Sequence, residues 1–177
     1  MHPILEEITA DIARVRANLT KIVAETPAAK FDHRPRNDGW SGTGIVQHLG
    51  TVEGMATKLL EGLFAKALAE GIAAEMSTAS WLHSLEKFNV LDRSRPIVAP
   101  ERAHPAPDAQ LATSWASLQA VRQRLLRAVA TVDDRDLTTV SAPHPIFGAL
   151  NGYQWVLVIG RHEERHLSQL RETLSEA

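Results

Sequence analysis

The sequence contains no cysteine. Disulfides are therefore excluded, and so are thiolate metal ligands and a cysteine nucleophile. Any metal must be held by histidine or carboxylate, and thiol chemistry requires a thiol cosubstrate. An excess of either charge is also missing: 19 lysines and arginines stand against 21 aspartates and glutamates, a formal net charge of −2. Sequence-independent nucleic-acid binding needs a basic face, which this composition does not offer. No stretch approaches the roughly 18 apolar residues of a membrane-spanning helix. The opening residues, Met1-His2-Pro3-Ile4-Leu5, lack a basic region followed by an apolar run, so they do not read as a secretory leader. The expectation is a cytoplasmic protein with no nucleic-acid or membrane partner. Its 177 residues suffice for one domain with a proper core. No low-complexity linker divides them, so 1–177 reads as a single domain.

What is present is helical periodicity. Leu5, Ile8, Ile12, Val15, Leu19 and Ile22 alternate three- and four-residue steps, the stripe of a bundle helix over residues 4–25. Pro27 ends it, and Pro35 and Asp38-Gly39 mark a polar connection. Ser41 is placed to cap a second helix reaching about Gly71, with the stripe Ile45, His48, Leu49, Val52, Met55, Ala56, Leu59 and Leu63. Its glycines lower helix propensity but allow a neighbour to approach closely. Asp108 is placed to cap a third helix to about Thr131, with Leu111, Trp115, Leu118, Leu125 and Val129 inward and Arg122 on the same spacing. Asn151 is placed to cap a fourth, carrying Trp155, Val156, Ile159, His162, His166, Leu167 and Leu170. Between the second and third, Trp81, Leu82, Leu85 and Phe88 predict a short helix. Pro96, Pro100, Pro105 and Pro107 then exclude a regular one. No period-two alternation is long enough to demand a sheet. The reading is an all-α four-helix bundle with a long crossover between helices 2 and 3. Long connections of this kind often cover a site.

The chemistry lies in the histidines. His162 and His166 stand four apart, close to the 3.6-residue helical turn, so both rings leave one face. An open catalytic metal site usually takes three protein ligands and leaves room for water. His48, interrupting the apolar stripe of the second helix, is the candidate third. A buried imidazole without a partner is costly, and a divalent cation is a partner all three can share. Plainer readings stand beside this one: an exposed i,i+4 pair on a polar face, and a core His48 satisfied by a hydrogen bond. His144, before a proline in a loop, reads as a packing residue or an additional ligand. His2, His33, His83 and His104 read as surface residues. Gln169, three after His166, reads as an exposed amide or as a contact to a ligand histidine or substrate. Arg122 reads as a snorkelling side chain or as a guanidinium facing a cavity, with Glu53 as its candidate partner.

Taken together, Gly39-Trp40-Ser41, Ile45-Val46-Gln47-His48-Leu49 and Glu53 resemble the opening motif of the DinB-like superfamily. His144-Pro145, Phe147-Gly148, Asn151, Trp155, His162-Glu163-Glu164-Arg165-His166-Leu167 and Gln169 resemble its closing motif. The resemblance runs in order across nearly the whole chain. It implies a DinB/YfiT-like four-helix bundle, often a homodimer, with a three-histidine site for a divalent ion, commonly zinc or nickel. Carried over, the ligands are His48, His162 and His166. It also implies a relation to transferases and isomerases that use bacillithiol, mycothiol or glutathione.

The functional expectation is a metal-dependent enzyme acting on a small molecule, either a hydrolase or a thiol-dependent S-transferase or isomerase with a low-molecular-weight thiol cosubstrate. Glu163 and Glu164 flank the histidines as surface carboxylates or contacts behind the ligands, and no general base stands out. Two other readings are a non-catalytic metal- or ligand-binding module of a stress response, and a purely interactive dimer. Trp81 and Trp115 are the side chains that point to a homodimer surface.

Overall fold

The computed structural model describes residues 1–35, 39–94 and 97–177. Asp38 of the expected turn and Pro96 of the crossover lie outside the described residues. Four long helices carry the fold: α1 (Pro3–Glu25), α3 (Gly42–Ala69), α4 (Leu111–Ala130) and α5 (Gly152–Ser175), with a single-turn α2 (Ala28–Phe31) between the first two. Helix α3 lies against α4, α1 against α5, and α3 also meets α5. The fold is the expected four-helix bundle with a long second crossover. Among the described residues, no helix is long and apolar enough to cross a membrane.

Two of the expected caps are present. Ser41 accepts the Gly44 amide at 3.1 Å and so starts α3. Asn151 Oδ1 accepts the Gln154 amide at 3.0 Å, while Gln154 Oε1 accepts the Asn151 amide at 3.1 Å. This reciprocal capping box fixes the first turn of the helix that bears both close-set histidines. Asp108 does not cap α4. The helix begins at Leu111, Gln110 occupies the cap position, and no side chain bonds there. The turn through Pro107 and Asp108 delays helix entry by two residues.

The crossover follows a different path from the expected one. Trp81 to Phe88 make turns and one 3₁₀ turn, Glu86–Phe88, rather than an α-helix, and Asn89 at φ 48° closes that turn in the left-handed region. A second 3₁₀ turn, Glu101–Ala103, follows. Ala74 bridges antiparallel to Arg135, tying the crossover to the segment after α4. That segment holds a small sheet the periodicity did not call for. Strands β1 (Ser141–His144) and β2 (Gly148–Asn151) form an antiparallel hairpin with His144 opposite Gly148. Gly148 at φ 74° supplies the left-handed residue the turn needs.

The core consists of two apolar clusters stacked along the bundle. One gathers Ile4, Leu5, Ile8, Ile12, Leu60, Phe64, Leu125, Val129, Tyr153 and Val156. The other gathers Val15, Leu19, Phe31, Ile45, Val46, Leu49, Leu118, Leu167 and Leu170. Each fully buried aliphatic side chain contributes about 1.5–3 kcal/mol. The break between clusters falls after Leu49 on α3, after Leu118 on α4 and after Ile159 on α5. Glu53, Arg122 and Glu163, all buried, occupy that break. Trp81 and Trp115, the residues that pointed to a dimer surface, are half-buried and pack against these two clusters.

Candidate metal centre

His162 and His166 lie on the face of α5 that meets α3, with ring centroids 4.6 Å apart. His48 of α3 stands opposite, 5.2 Å from His162 and 4.8 Å from His166 by centroid. One ring nitrogen from each falls within 4.8 Å of the others, and the three form a group that could hold a metal ion.

The hydrogen bonds behind the rings set their tautomers. His48 Nδ1 is 2.7 Å from the Ala103 carbonyl. A carbonyl only accepts, so Nδ1 carries the hydrogen and Nε2 keeps its lone pair. His166 Nδ1 is 2.8 Å from Gln169 Oε1, which leaves its Nε2 bare in the same way. This is how ligating histidines are usually held: the far nitrogen donates, which fixes the ring and raises its basicity. His48 Nε2 and His162 Nε2 are 3.3 Å apart. With bonds of the zinc–imidazole length, the edge of a tetrahedral site is about 3.3–3.4 Å. A proton on His162 Nε2 makes this contact a hydrogen bond, and a cation in that proton's place makes it one edge of a coordination shell. The donor set therefore fits a divalent ion. Burial lowers the pKa of all three rings. His162 is held well below the ordinary value, first by burial and then by the neighbouring His166 and His48. His166 is pushed down to about 4 by burial and by His48. Burial also lowers His48, against the pull of its bond to Ala103. Neutral imidazole is the form that binds metal.

The cluster opens onto a cavity of about 770 Å³, within the usual range for small-molecule sites. Trp40 and Trp155 form part of its wall, and Trp40 stacks on His166 at 6.5 Å and 21°. The crossover covers one side through Ile97 to Pro100, and the hairpin covers another through Pro143 to Phe147. Trp155 Nε1 donates to the Ala142 carbonyl at 3.1 Å, pinning the hairpin to α5.

The remaining expected residues divide. Gln169 sits behind His166, as described. His144 lines the cavity on β1, stacked on Phe147 and 5.0 Å from Trp155. It is not in the three-histidine group. Its Nδ1 accepts the amides of Ile146 and Phe147 at 3.2 and 3.4 Å. That leaves the hydrogen on Nε2 and makes the ring a donor. Arg122 and Glu53 do not face the cavity. They meet in the break of the core, Nε to Oε1 at 2.6 Å and Nη2 to Oε2 at 3.1 Å. Arg122 also binds Glu163 Oε2 at 2.8 Å and the Ile12 carbonyl at 3.1 Å. Burial opposes its charge, but Glu53 and Glu163 outweigh that and hold its pKa above the ordinary value. Glu163 is thus a buried ion partner, not a surface carboxylate.

Arg16 completes this cluster and escaped the sequence reading. Its Nε bonds Glu163 Oε1 at 2.7 Å, and its Nη2 bonds Glu53 Oε2 and Glu163 Oε2, both at 2.9 Å. The available signal was its place four residues after Ile12, at the edge of the α1 stripe. Of the histidines expected at the surface, His83 and His104 are exposed, while His2 and His33 are half-buried. His104 lines the cavity mouth with its ring 5.9 Å from Trp40.

The chain is 31% identical over 144 residues to the uncharacterized protein YuaE of Bacillus subtilis (strain 168), covering 81% of this chain and 82% of that one. Its fold is similar to TT2238, described as a four-helix bundle protein, with a TM-score of 0.63 and 21% identity over 94% of this chain and 98% of that one. Residues 11–170, which hold all three clustered histidines, match the DinB superfamily, and the chain belongs to that family.

Proposed function

We propose that this protein is a divalent-metal-dependent enzyme, working in the cytoplasm on a small molecule held in the 770 Å³ cavity. In this reading residues 1–177 act as one domain, and His48, His162 and His166 hold zinc or nickel. The observation that carries the reading is the set of three imidazoles whose nitrogens converge at an open cavity, with the far nitrogens of His48 and His166 bonded. A divalent ion there supplies Lewis acidity, polarising a carbonyl or lowering the pKa of a bound thiol or water.

The chain's own residues favour one branch. Among the described residues lining the cavity there is no aspartate or glutamate, and Glu163 is committed to two arginines. The described wall therefore offers no carboxylate base for hydrolysis. Transfer or isomerisation with a low-molecular-weight thiol cosubstrate makes less demand for such a base. His144, with its hydrogen on Nε2, serves as a donor to a substrate oxygen. Trp40, Trp155 and the apolar hairpin exclude water around it. The homodimer belongs to this reading too, and light scattering at micromolar concentration should give about twice the chain mass.

The test is to purify the protein without a nickel column, measure bound metal, and assay it with thiol–electrophile pairs and with esters. The expected result is turnover with a thiol pair that a chelator abolishes and zinc or nickel restores. Stoichiometric metal with turnover of neither class would point instead to a non-catalytic metal-binding module.

A further inference from the structure

The cavity wall beyond the histidines is positively charged at one place and apolar at another. Three arginines line it, Arg93, Arg102 and Arg165. Arg93 forks onto Glu172 at 2.5 and 2.7 Å, and Arg165 donates to the Val90 and Asp92 carbonyls. Arg102 differs from both. Among the described residues, its side chain makes one hydrogen bond, from Nε to the Met55 sulfur at 3.4 Å, and a thioether is a weak acceptor. The root of this side chain is nonetheless fixed. Its neighbour Ala103 is fully buried and accepts the bond from His48. The guanidinium thus belongs to the residue next to the carbonyl that orients a clustered histidine. On the apolar side, Ile97 is 45% exposed, Val98 87% and Ile146 53%, all lining the same cavity. Wet apolar side chains gathered at one mouth mark a surface made to be covered.

We propose that the cavity takes a small organic acid, its carboxylate on the Arg102 guanidinium and its hydrocarbon body against Ile97, Val98 and Ile146. The planar fork of arginine matches a carboxylate, and charge-assisted bonds of this kind are the strong ones. The absence of lining carboxylates among the described residues removes competition for that fork. This inference rests on reading the cavity as the substrate site, and narrows the substrate to anionic amphiphiles.

The test uses octanoate, octylammonium, 1-octanol and acetate as probes, titrated into metal-free and zinc-loaded protein. Tryptophan fluorescence reports binding, because Trp40 and Trp155 line the cavity. Octanoate should bind the metal-free protein, acetate at least about tenfold more weakly, and octylammonium not measurably. Arg102→Gln, at an exposed position, should weaken octanoate about tenfold and leave 1-octanol unchanged. Unchanged octanoate affinity in that variant, or octylammonium binding as tightly as octanoate, would overturn the proposal. Octanoate binding that appears only with zinc would assign the carboxylate to the ion, which defeats this inference and leaves the metalloenzyme reading standing. Octanoate binding intact in a protein that takes up no metal would defeat that reading alone.

Discussion

Glu53 and Glu163 share α3 and α5 with His48, His162 and His166, yet the ion cluster they form with Arg16 and Arg122 and the histidine cluster are built to opposite ends. The ion cluster takes one residue from each long helix. Both oxygens of each glutamate and the nitrogens of each guanidinium are bonded within the protein. Two positive and two negative charges close on themselves, and nothing is left over for a ligand. The histidines have their pKa lowered by burial, His48 and His166 are braced from behind, and the cluster is open in front. Removal from water is costly for ions and is offset only by near-complete pairing. It is far milder for a neutral imidazole with one good bond. A bundle interior can therefore bury a charged cluster as a fixed joint, and leave a neutral one open as a site.

The sharpest way to break this contrast is to open the closed cluster. Glu163→Ala removes a partner from both Arg16 and Arg122 and leaves uncompensated positive charge in the core. The expected loss is about 3–5 kcal/mol of stability, measured by urea unfolding of the metal-free protein. Loss of less than about 1 kcal/mol would mean that water reaches the arginines and that the cluster is no joint. Glu163→Gln, which keeps the shape and two hydrogen-bonding atoms, should fall between.

How much of this was legible in the chain follows the same division. Periodicity exposes residues that interrupt an apolar stripe, so His48 and Arg122 were visible as anomalies, and the four-residue spacing of His162 and His166 placed both rings on one face. Ser41 and Asn151 were legible as caps because the bonds they make are local. Arg122 and Glu53 were legible as a candidate pair, but not their placement away from the cavity, because a guanidinium on a stripe says nothing about which neighbour lies across from it. Arg16 flanks its stripe, where long charged side chains are ordinarily solvated, and only the approach of α3, α4 and α5 turns it inward. The hairpin escaped because strands of four residues are too short for alternation to stand out from a loop. Asp108 misled because a good capping residue followed by apolar spacing resembles a helix start, while the neighbouring Pro107 and the turn decide otherwise.

The second prediction removes a member of the open cluster. His48→Ala deletes one of three converging nitrogens and should lower affinity for zinc or nickel at least about 100-fold, more than the loss of a supporting contact. Stability of the metal-free protein should fall by about 1–3 kcal/mol, the cost of leaving the Ala103 carbonyl without its partner. Helical content should remain, because the apolar stripes still form both cores. His33→Ala and His104→Ala should change neither quantity. Metal titration with a competing chelator and circular dichroism read both arms. Wild-type affinity in His48→Ala would remove this residue from the site.

The smallest effect separates holding a ligand from being one. Gln169 touches the cluster only through His166 Nδ1, and a partner at that position usually contributes 10–100-fold to metal affinity. Gln169→Ala should therefore weaken metal binding by about that factor and leave unfolding of the metal-free protein almost unchanged, because water can take the place of a half-buried amide. Gln169→Glu provides the control. A carboxylate accepts the same bond more strongly and makes the imidazole a better donor to the ion, so affinity should be kept or raised while Ala loses it. If Ala and Glu weaken binding equally, Gln169 acts by packing, not by orienting the ring. If neither variant changes affinity, His166 holds its orientation through α5 and the stacked Trp40, and the brace behind the open cluster is the helix rather than the amide.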